Sequence, residues 1–142
     1  MTVIVGADER LISYNRFSID RAILKLPTSG NEVALAERIW DEVDPDYAAG
    51  LDYMRTDSYE RFFIDENGEE VLLPIRWVKF AHRSGSYNWV LIGPGNQIIE
   101  VERESRWNYM RNRRATEEWN YDNWVLAREG KGPQLKAPEA LA

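Results

Sequence analysis

The chain contains no cysteine and a single histidine, His82. The lack of cysteine excludes disulfides, thiolate metal sites, iron–sulfur ligation and a cysteine nucleophile, and it fits a reducing compartment. No apolar run approaches the ~18 residues that a membrane-spanning helix needs. The start MTVIVGADER is too short and too acidic for a signal peptide. We therefore expect a cytoplasmic protein without a membrane segment.

The chain also lacks an excess of positive charge, since its net charge is -6. A general nucleic-acid binder needs a dominant basic field that displaces counterions from phosphates, so this class is disfavoured. The charge is unevenly placed: residues 1–70 carry 16 acidic and 7 basic side chains, and residues 71–142 carry 8 acidic and 11 basic. This asymmetry gives the molecule an electrostatic direction that steers its encounter with a charged partner.

The chain has enough hydrophobic residues to form the core of one packed domain. Hydrophobic residues make up 44% of its 142 residues and aromatic residues 12%, a composition far from that of disordered chains. After Gly130 the sequence KGPQLKAPEALA contains two prolines and few residues to bury. We expect a single domain over residues 1–130 and a mobile tail over residues 131–142.

The order of local patterns predicts an α+β fold. Asn31 is a good N-cap for an amphipathic helix that runs to Val43, and Asp44 before Pro45 favours a second, short helix. Residues 59–103 indicate an antiparallel meander of about four strands, with the Asn-Gly pair of ENG at residues 66–68 as a hairpin turn. Earlier, residues 2–6 and 10–17 are typical of strands, and SIDRAILKL suits either a helical turn or a strand. The predicted fold is thus a meander flanked by N-terminal helices and a C-terminal helical segment.

Residues 104–124, ESRWNYMRNRRATEEWNYDNW, hold three of the six tryptophans. We expect one helix over residues 105–114 and another that ends near residue 129. The aromatic side chains either pack on the sheet, with the arginines paired to nearby glutamates, or form a binding surface for a partner or a nucleotide. The candidate binding residues are Arg106, Trp107, Tyr109, Arg111, Arg113, Arg114, Trp119 and Tyr121.

A second candidate surface is acidic. Glu37 and Asp41 are four residues apart on the predicted helix and so share a face, and Asp44 and Asp46 follow. Carboxylates in a cluster can mimic nucleic-acid phosphates towards a basic partner. Two acids at this spacing can also help to hold a divalent cation, but no second element offers converging ligands, and no metal or other cofactor is expected.

A catalytic interpretation depends on His82, which precedes the turn RSGS. Ser84 and Ser86 are close in sequence, and Asp57 or Glu60 can lie nearby across a sheet, so a serine-type hydrolase is one hypothesis. No nucleophile-elbow motif accompanies these residues. The turn GPGN at Gly93 likewise lacks the lysine of a phosphate-binding loop.

These patterns favour a small, acidic, non-catalytic binding protein. Our first hypothesis is an inhibitor or a counter-defence or immunity-type factor, in the style of phages and mobile elements, that docks on a protein such as a basic nucleic-acid-processing enzyme. A protein that binds a small nucleotide or an oligonucleotide through the Arg/Trp/Tyr-rich segment is the alternative. A hydrolase that depends on His82 is the second alternative, and a homodimer is a further mode of assembly that such a surface allows.

Overall fold

The architecture is dominated by an antiparallel sheet of six strands. The computed structural model describes residues 1–18, 26 and 30–136. The strand order is β1-β2-β6-β5-β4-β3, and β7 and β8 form a separate two-stranded hairpin. The strands are β1 (Thr2–Val5), β2 (Leu11–Asn15), β3 (Leu51–Ile64), β4 (Glu70–His82), β5 (Tyr87–Ile92), β6 (Ile98–Ser105), β7 (Trp107–Asn108) and β8 (Arg113–Arg114). The α-helices among the described residues are α1 (Asn31–Val43), α2 (Pro45–Ala48) and α3 (Asp122–Arg128).

Turn residues set the register of the longest hairpin, β3–β4. Gly68 has φ 79, a left-handed conformation that glycine adopts without steric cost. The Asp65 side chain accepts hydrogen bonds from the backbone N–H groups of Asn67 and Glu69, each at 2.9 Å. The turn therefore fixes the pairing of Ile64 with Glu70, from which the whole ladder runs.

The helices pack on one face of the sheet. Ala36 and Trp40 of α1 and Tyr47 of α2 form one core cluster with Val78 and Val90 of the central strands. Successive strand residues point to opposite faces, so Trp89 and Leu91 belong to a separate cluster on the other face. The central strand β5 is consequently buried on both sides.

Both helix starts have local causes. Asp44 Oδ1 accepts a hydrogen bond from the Tyr47 backbone N–H at 3.0 Å, which confirms the predicted cap and proline start of α2. The prediction of Asn31 as N-cap is wrong by one residue, because Gly30, at φ 103, occupies that position. The Glu32 carboxylate accepts from the Gly30 backbone N–H at 2.8 Å in place of a side-chain cap.

The predicted fold class is wrong, because the described residues form mostly β-structure with one long helix. The strands β1 and β2, absent from the predicted meander, extend the sheet through the pairing of β2 with β6. The second helix ends at Ala48, and the chain from Leu51 already belongs to β3, paired opposite His82. The residues that follow Gly50 gain ladder hydrogen bonds in β3. A continuation of the short second helix through Gly50 does not offer these bonds.

The predicted helix over residues 105–114 is also wrong, since the hairpin β7–β8 occupies this stretch. Asn112 has φ 47, outside the helical region. The Asn108 side chain accepts a hydrogen bond from the Arg111 backbone N–H at 3.0 Å, the local contact by which asparagine favours turns over helices. The two asparagines thus reverse the chain where aromatic spacing alone suggested a helix.

Parts of three predictions lie outside the described residues. They are the prediction for the SIDRAILKL segment, most of which is not described, the part of the predicted single domain at residues 27–29, and the end of the tail from residue 137. None of the helices in the described part of the chain combines the length and the apolar character needed to cross a membrane.

Candidate functional site

A cavity of about 630 Å³ lies between the sheet and the C-terminal segment. It is on the face opposite α1, where strands β3 to β6 form the floor. The segment from Ser105 to Tyr121 forms the opposite wall. The lining residues are Met54, Arg55, Tyr59, Arg61, Trp77, Lys79, Tyr87, Trp89, Leu91, Glu100, Ser105, Arg106, Trp107, Tyr109, Arg114, Glu118, Asn120 and Tyr121.

The alternation of side chains along each strand explains which residues of β3, β4 and β5 line the cavity. Arg55, Tyr59 and Arg61 of β3 are separated by even numbers of positions and so share one face. The register pairs Lys79 with Arg55 across the β3–β4 ladder and Trp89 with Lys79 across the β4–β5 ladder. Alternation along three adjacent strands therefore brings cationic and aromatic side chains to the same surface.

Glu100 of β6 lies at the bottom of this surface and is 1% exposed. Its Oε1 accepts a hydrogen bond from the Trp89 indole at 2.6 Å, and its Oε2 accepts one from the Arg61 guanidinium at 3.3 Å. The Asn120 side chain reaches Oε1 at 3.5 Å. Burial raises the pKa of Glu100 above its ordinary value, although Trp89 and Arg61 oppose the shift.

Glu102 is two residues further along β6, on the same face, and is fully buried. Its Oε1 lies 2.5 Å from an Arg114 guanidinium nitrogen in an ion pair between β6 and the hairpin. Burial raises the pKa of Glu102 to about 8; Arg114 lowers it, and the neighbouring Glu100 raises it further. Burial therefore disfavours ionisation of Glu102, and the contact with Arg114 opposes this effect.

Three aromatic rings of the floor pack against one another. Trp77 meets Tyr59 and Trp89 edge-to-face, with both pairs of ring centroids 5.5 Å apart. The Lys79 ammonium lies 3.5 Å from the Trp77 ring centroid, a cation–π contact. Burial raises the pKa of Tyr59 to about 12, so its hydroxyl stays protonated. This cluster forms a rigid aromatic floor.

The rim of the cavity is more exposed and contains the C-terminal aromatic residues. Trp107 is 43% exposed, Tyr121 47% and Tyr109 72%. The hydroxyls of Tyr109 and Tyr87 contact each other and connect the hairpin to β5. At the rim the apolar ring surface remains available to a ligand.

The charge of the lining is opposite to that of the whole protein. Five cationic side chains, Arg55, Arg61, Lys79, Arg106 and Arg114, face two acidic ones, Glu100 and Glu118, whereas the chain as a whole carries -6. Arg55 and Lys79 share one partner, Asp57, at 3.0 Å and 2.8 Å. The Arg106 guanidinium has no ionic or hydrogen-bonded side-chain partner among the described residues. The cavity lining is therefore richer in cations than the protein as a whole, although Asp57 and Glu102 pair with three of its five cations.

No protein family, curated protein or solved structure matches the chain. Its function has to be inferred from its own residues.

The structure brings most of the candidate C-terminal binding residues to this cavity. Arg106, Trp107, Tyr109, Arg114 and Tyr121 line it, whereas Arg111, Arg113 and Trp119 lie outside the lining. The Trp119 ring centroid lies 4.9 Å from the Arg114 guanidinium carbon, a cation–π contact that helps to position Arg114. Arg111 is exposed at the hairpin turn, and Arg113 pairs with Asn108 in the hairpin.

The floor of the site was not predicted from the sequence. Glu100 and Glu102 alternate with apolar residues in IIEVERES, a pattern that ordinarily describes a strand with one solvated face. Their burial depends on Arg61 and Arg114, which come from distant parts of the chain. No local signal marks this contact.

The candidate acidic residues lie on the opposite side of the molecule. Glu37 and Asp41 line a second, smaller cavity of about 250 Å³ beside Trp40. Asp44 is engaged by Arg103 at 2.9 Å, whereas Asp46 is exposed in the first turn of α2. Within the described residues, no group of three or more acidic or histidine side chains is arranged to hold a metal ion.

His82 belongs to a hydrogen-bonded turn. Its Nδ1 lies 2.8 Å from the Ser84 hydroxyl and 3.2 Å from the Ser84 backbone nitrogen. Its ring stacks on Tyr47, with the ring centroids 4.1 Å apart. In the described part of the chain no carboxylate contacts this ring, and Asp57 is paired with Lys79. This arrangement lacks the acid that orients the base in a catalytic triad.

Proposed function

We propose that this protein is a non-catalytic binding protein whose ligand is a small aromatic anion held in the cavity above β3–β6. The observation that carries the proposal is the reversal of charge in the lining, where cations outnumber acids in a protein of net charge -6. Cationic and aromatic side chains together favour a ligand that has both a negative group and a flat ring.

The size of the cavity agrees with a ligand of this kind. Pockets for small molecules and cofactors measure about 300–1,000 Å³ and combine an apolar wall with a few polar groups. At about 630 Å³ the cavity is in this range. Its rigid aromatic floor and its exposed aromatic rim can hold a ring between them.

Binding without reaction is favoured because the two buried acids at the floor of the site are already paired. Glu100 accepts from Trp89 and Arg61, and Glu102 is paired with Arg114. Among the described residues no histidine lines the cavity. The lining provides complementarity to a ligand but no nucleophile held by a base.

A calorimetric titration with matched ligands tests the proposal. Indole-3-acetate and tryptamine share the indole ring system and differ in the sign of their charge. A second series compares nucleoside 5′-monophosphates with the corresponding uncharged nucleosides. We expect the anionic member of at least one series to bind at least tenfold more tightly. Equal or tighter binding of the cationic and neutral members would contradict the proposal.

Matched variants localise this binding to the cavity. Arg106→Gln removes a rim cation and is expected to weaken binding of the anion. Arg111→Gln removes an exposed arginine of the same hairpin region that does not line the cavity, and it serves as the control. Equal effects of the two substitutions would indicate that the general field of the protein, not the cavity, attracts the anion.

A second function, docking on a protein partner, is supported by the tip of the β7–β8 hairpin. Met110 is 99% exposed and Tyr109 72%, and Arg111 is adjacent to them. Exposed methionine, tyrosine and arginine in one place are typical of protein interfaces. This supports the hypothesis of an inhibitor or counter-defence factor with a protein partner, and also that of a homodimer.

Two experiments separate these modes of assembly. If the tip mediates a homodimer, wild-type protein sediments as a dimer and the Met110→Glu variant as a monomer. The second experiment assumes that the exposed acids Glu37, Asp41 and Asp46 bind a basic nucleic-acid-processing enzyme. In that case the double substitution Glu37→Gln/Asp41→Asn weakens the complex, and added salt weakens it as well. A monomeric wild type that binds no such enzyme at low salt would contradict both.

A further inference from the structure

Charge in the cavity is distributed by depth. The deep cations are matched by acids, because Arg61 pairs with Glu100 and Arg114 with Glu102. The more exposed cations are less compensated, since Arg55, whose side chain is 60% exposed, shares Asp57 with Lys79. Arg106 has no ionic partner among the described side chains. An anionic group is therefore attracted to the rim, and the ring of the same ligand is left to fill the interior.

The interior offers a buried acceptor for hydrogen bonds. A carboxylate can accept about four hydrogen bonds. Glu100 accepts two at good or moderate length, from Trp89 at 2.6 Å and Arg61 at 3.3 Å, and a long one from Asn120 at 3.5 Å. Its Oε2 therefore keeps capacity for an N–H donor from a ligand that enters the cavity.

A ligand with an anionic end, a flat ring and N–H groups on that ring satisfies all three features. We propose that the cavity binds a nucleoside monophosphate, with an exocyclic amino group of the base donating to Glu100 and the phosphate held at the rim by Arg55 and Arg106. This assignment depends on the proposed function and adds the class and the orientation of the ligand. The half-exposed rings of Trp107 and Tyr121 also line the cavity and can contact the base or the sugar.

Pairs of nucleotides that differ by one amino group test the contact with Glu100. GMP carries the 2-amino group that IMP lacks, and AMP carries the 6-amino group that purine riboside 5′-monophosphate lacks. By calorimetry, we expect the amino-bearing member of at least one pair to bind about tenfold more tightly, because the other member lacks the donor for Glu100. If both pairs bind with equal affinity, the contact with Glu100 is wrong.

Glu100→Gln is the direct variant for this contact. Glutamine keeps an oxygen for Trp89 and replaces the second acceptor with an amide donor, so the preference for the amino-bearing nucleotide should disappear. Affinity for the nucleotide without the amino group should remain within about threefold, which shows that the variant is folded and the cavity intact. Glu32→Gln is the control, because Glu32 is also a buried glutamate but lies in α1, on the face opposite the cavity, and does not line it. Retention of the preference in Glu100→Gln, or its loss in the control, would overturn the proposal.

The orientation has its own test. Arg106→Gln should reduce the affinity for the nucleotide at least fivefold while changing the affinity for the corresponding nucleoside less than twofold. Arg111→Gln should change neither. An equal loss for nucleotide and nucleoside would overturn the assignment of the phosphate to the rim.

Two further outcomes are distinguishable. If indole-3-acetate binds in the cavity and no nucleotide does, the nucleotide assignment fails and the proposed function stands; if no aromatic anion binds, both fail. A 5′-phosphorylated single-stranded hexanucleotide separates a free nucleotide from a nucleic-acid end. Binding of the hexanucleotide tenfold tighter than any mononucleotide would overturn the assignment to a free nucleotide.

Discussion

The indole Nε1–H of Trp89 donates a 2.6 Å hydrogen bond to Oε1 of Glu100, and both side chains are more than nine-tenths buried. This bond joins β5 to β6 directly beneath the cavity. It compensates part of the cost of placing a carboxylate in the interior, because a buried acceptor without partners is strongly destabilising.

Trp89→Phe removes this donor while keeping an aromatic ring. We expect a loss of about 2–3 kcal/mol in the free energy of unfolding, because the carboxylate of Glu100 loses its shortest hydrogen bond. Urea denaturation measures it. Trp124→Phe is the matched control: Trp124 donates to Glu117 at 2.5 Å in a part-buried site that water can reach, so its loss should stay below about 1 kcal/mol. Equal losses in the free energy of unfolding would show that the Trp89–Glu100 hydrogen bond contributes no more to stability than the Trp124–Glu117 hydrogen bond.

The raised pKa of Glu102, about 8, predicts a specific pH dependence of stability. Since this pKa lies above the value of an unfolded glutamate, about 4.3, folding favours the protonated form. The contribution of Glu102 is complete below about pH 4.3 and is lost as the pH rises to about 8 and beyond. One proton corresponds to at most about 1.4 kcal/mol per pH unit in this window.

Glu102→Gln should therefore remove about one proton from the slope of unfolding free energy against pH between pH 5 and pH 8. The variant should also be more stable than wild type at pH 9, because it buries no carboxylate that ionises. Urea denaturation over this range measures the slope. The exposed control Glu60→Gln should leave it unchanged, and an unchanged slope in Glu102→Gln would show that Glu102 is ionised in the folded protein.

Gly50 permits the close approach of α2 to His82. A Cβ at residue 50 would overlap the imidazole of His82, so Gly50→Ala must displace this ring from its stacking on Tyr47. We expect a loss of about 1–3 kcal/mol, the usual range for overpacking. In a His82→Ala background the same substitution should cost much less, and a double-mutant cycle by thermal denaturation measures the difference. An equal cost in both backgrounds would contradict the steric explanation.

Local chemistry predicted the helix to Val43, the Asp44–Pro45 start and the turn before Gly68, because each depends on residues adjacent in sequence. The first half of β3 was not predictable in this way. Its residues 51–58 have little apolar alternation and are held by pairing with β4. The hairpin β7–β8 was mistaken for a helix because aromatic spacing suits either structure, and the positive φ at Asn112 decided between them.

The site was predictable on one side only. Arg106, Trp107, Tyr109, Arg114 and Tyr121 form a compositional cluster that sequence analysis can detect. The floor consists of isolated residues from four strands, and only the register of the sheet brings them together. Buried acids such as Glu100 look like ordinary solvated strand residues until Trp89 and its other partners are located.

The tryptophans provide the most direct measurement of the central claim, that the cavity above β3–β6 is a ligand site. Trp77, Trp89 and Trp107 line it, whereas Trp40 is 1% exposed in the core on the opposite face. Titration of ¹⁵N-labelled protein with GMP, followed by NMR of the indole N–H signals, should shift the three cavity signals in a saturable manner and leave Trp40 unchanged. If no indole signal moves for GMP, for AMP or for indole-3-acetate, or if Trp40 moves as much as the others, the cavity is not the binding site.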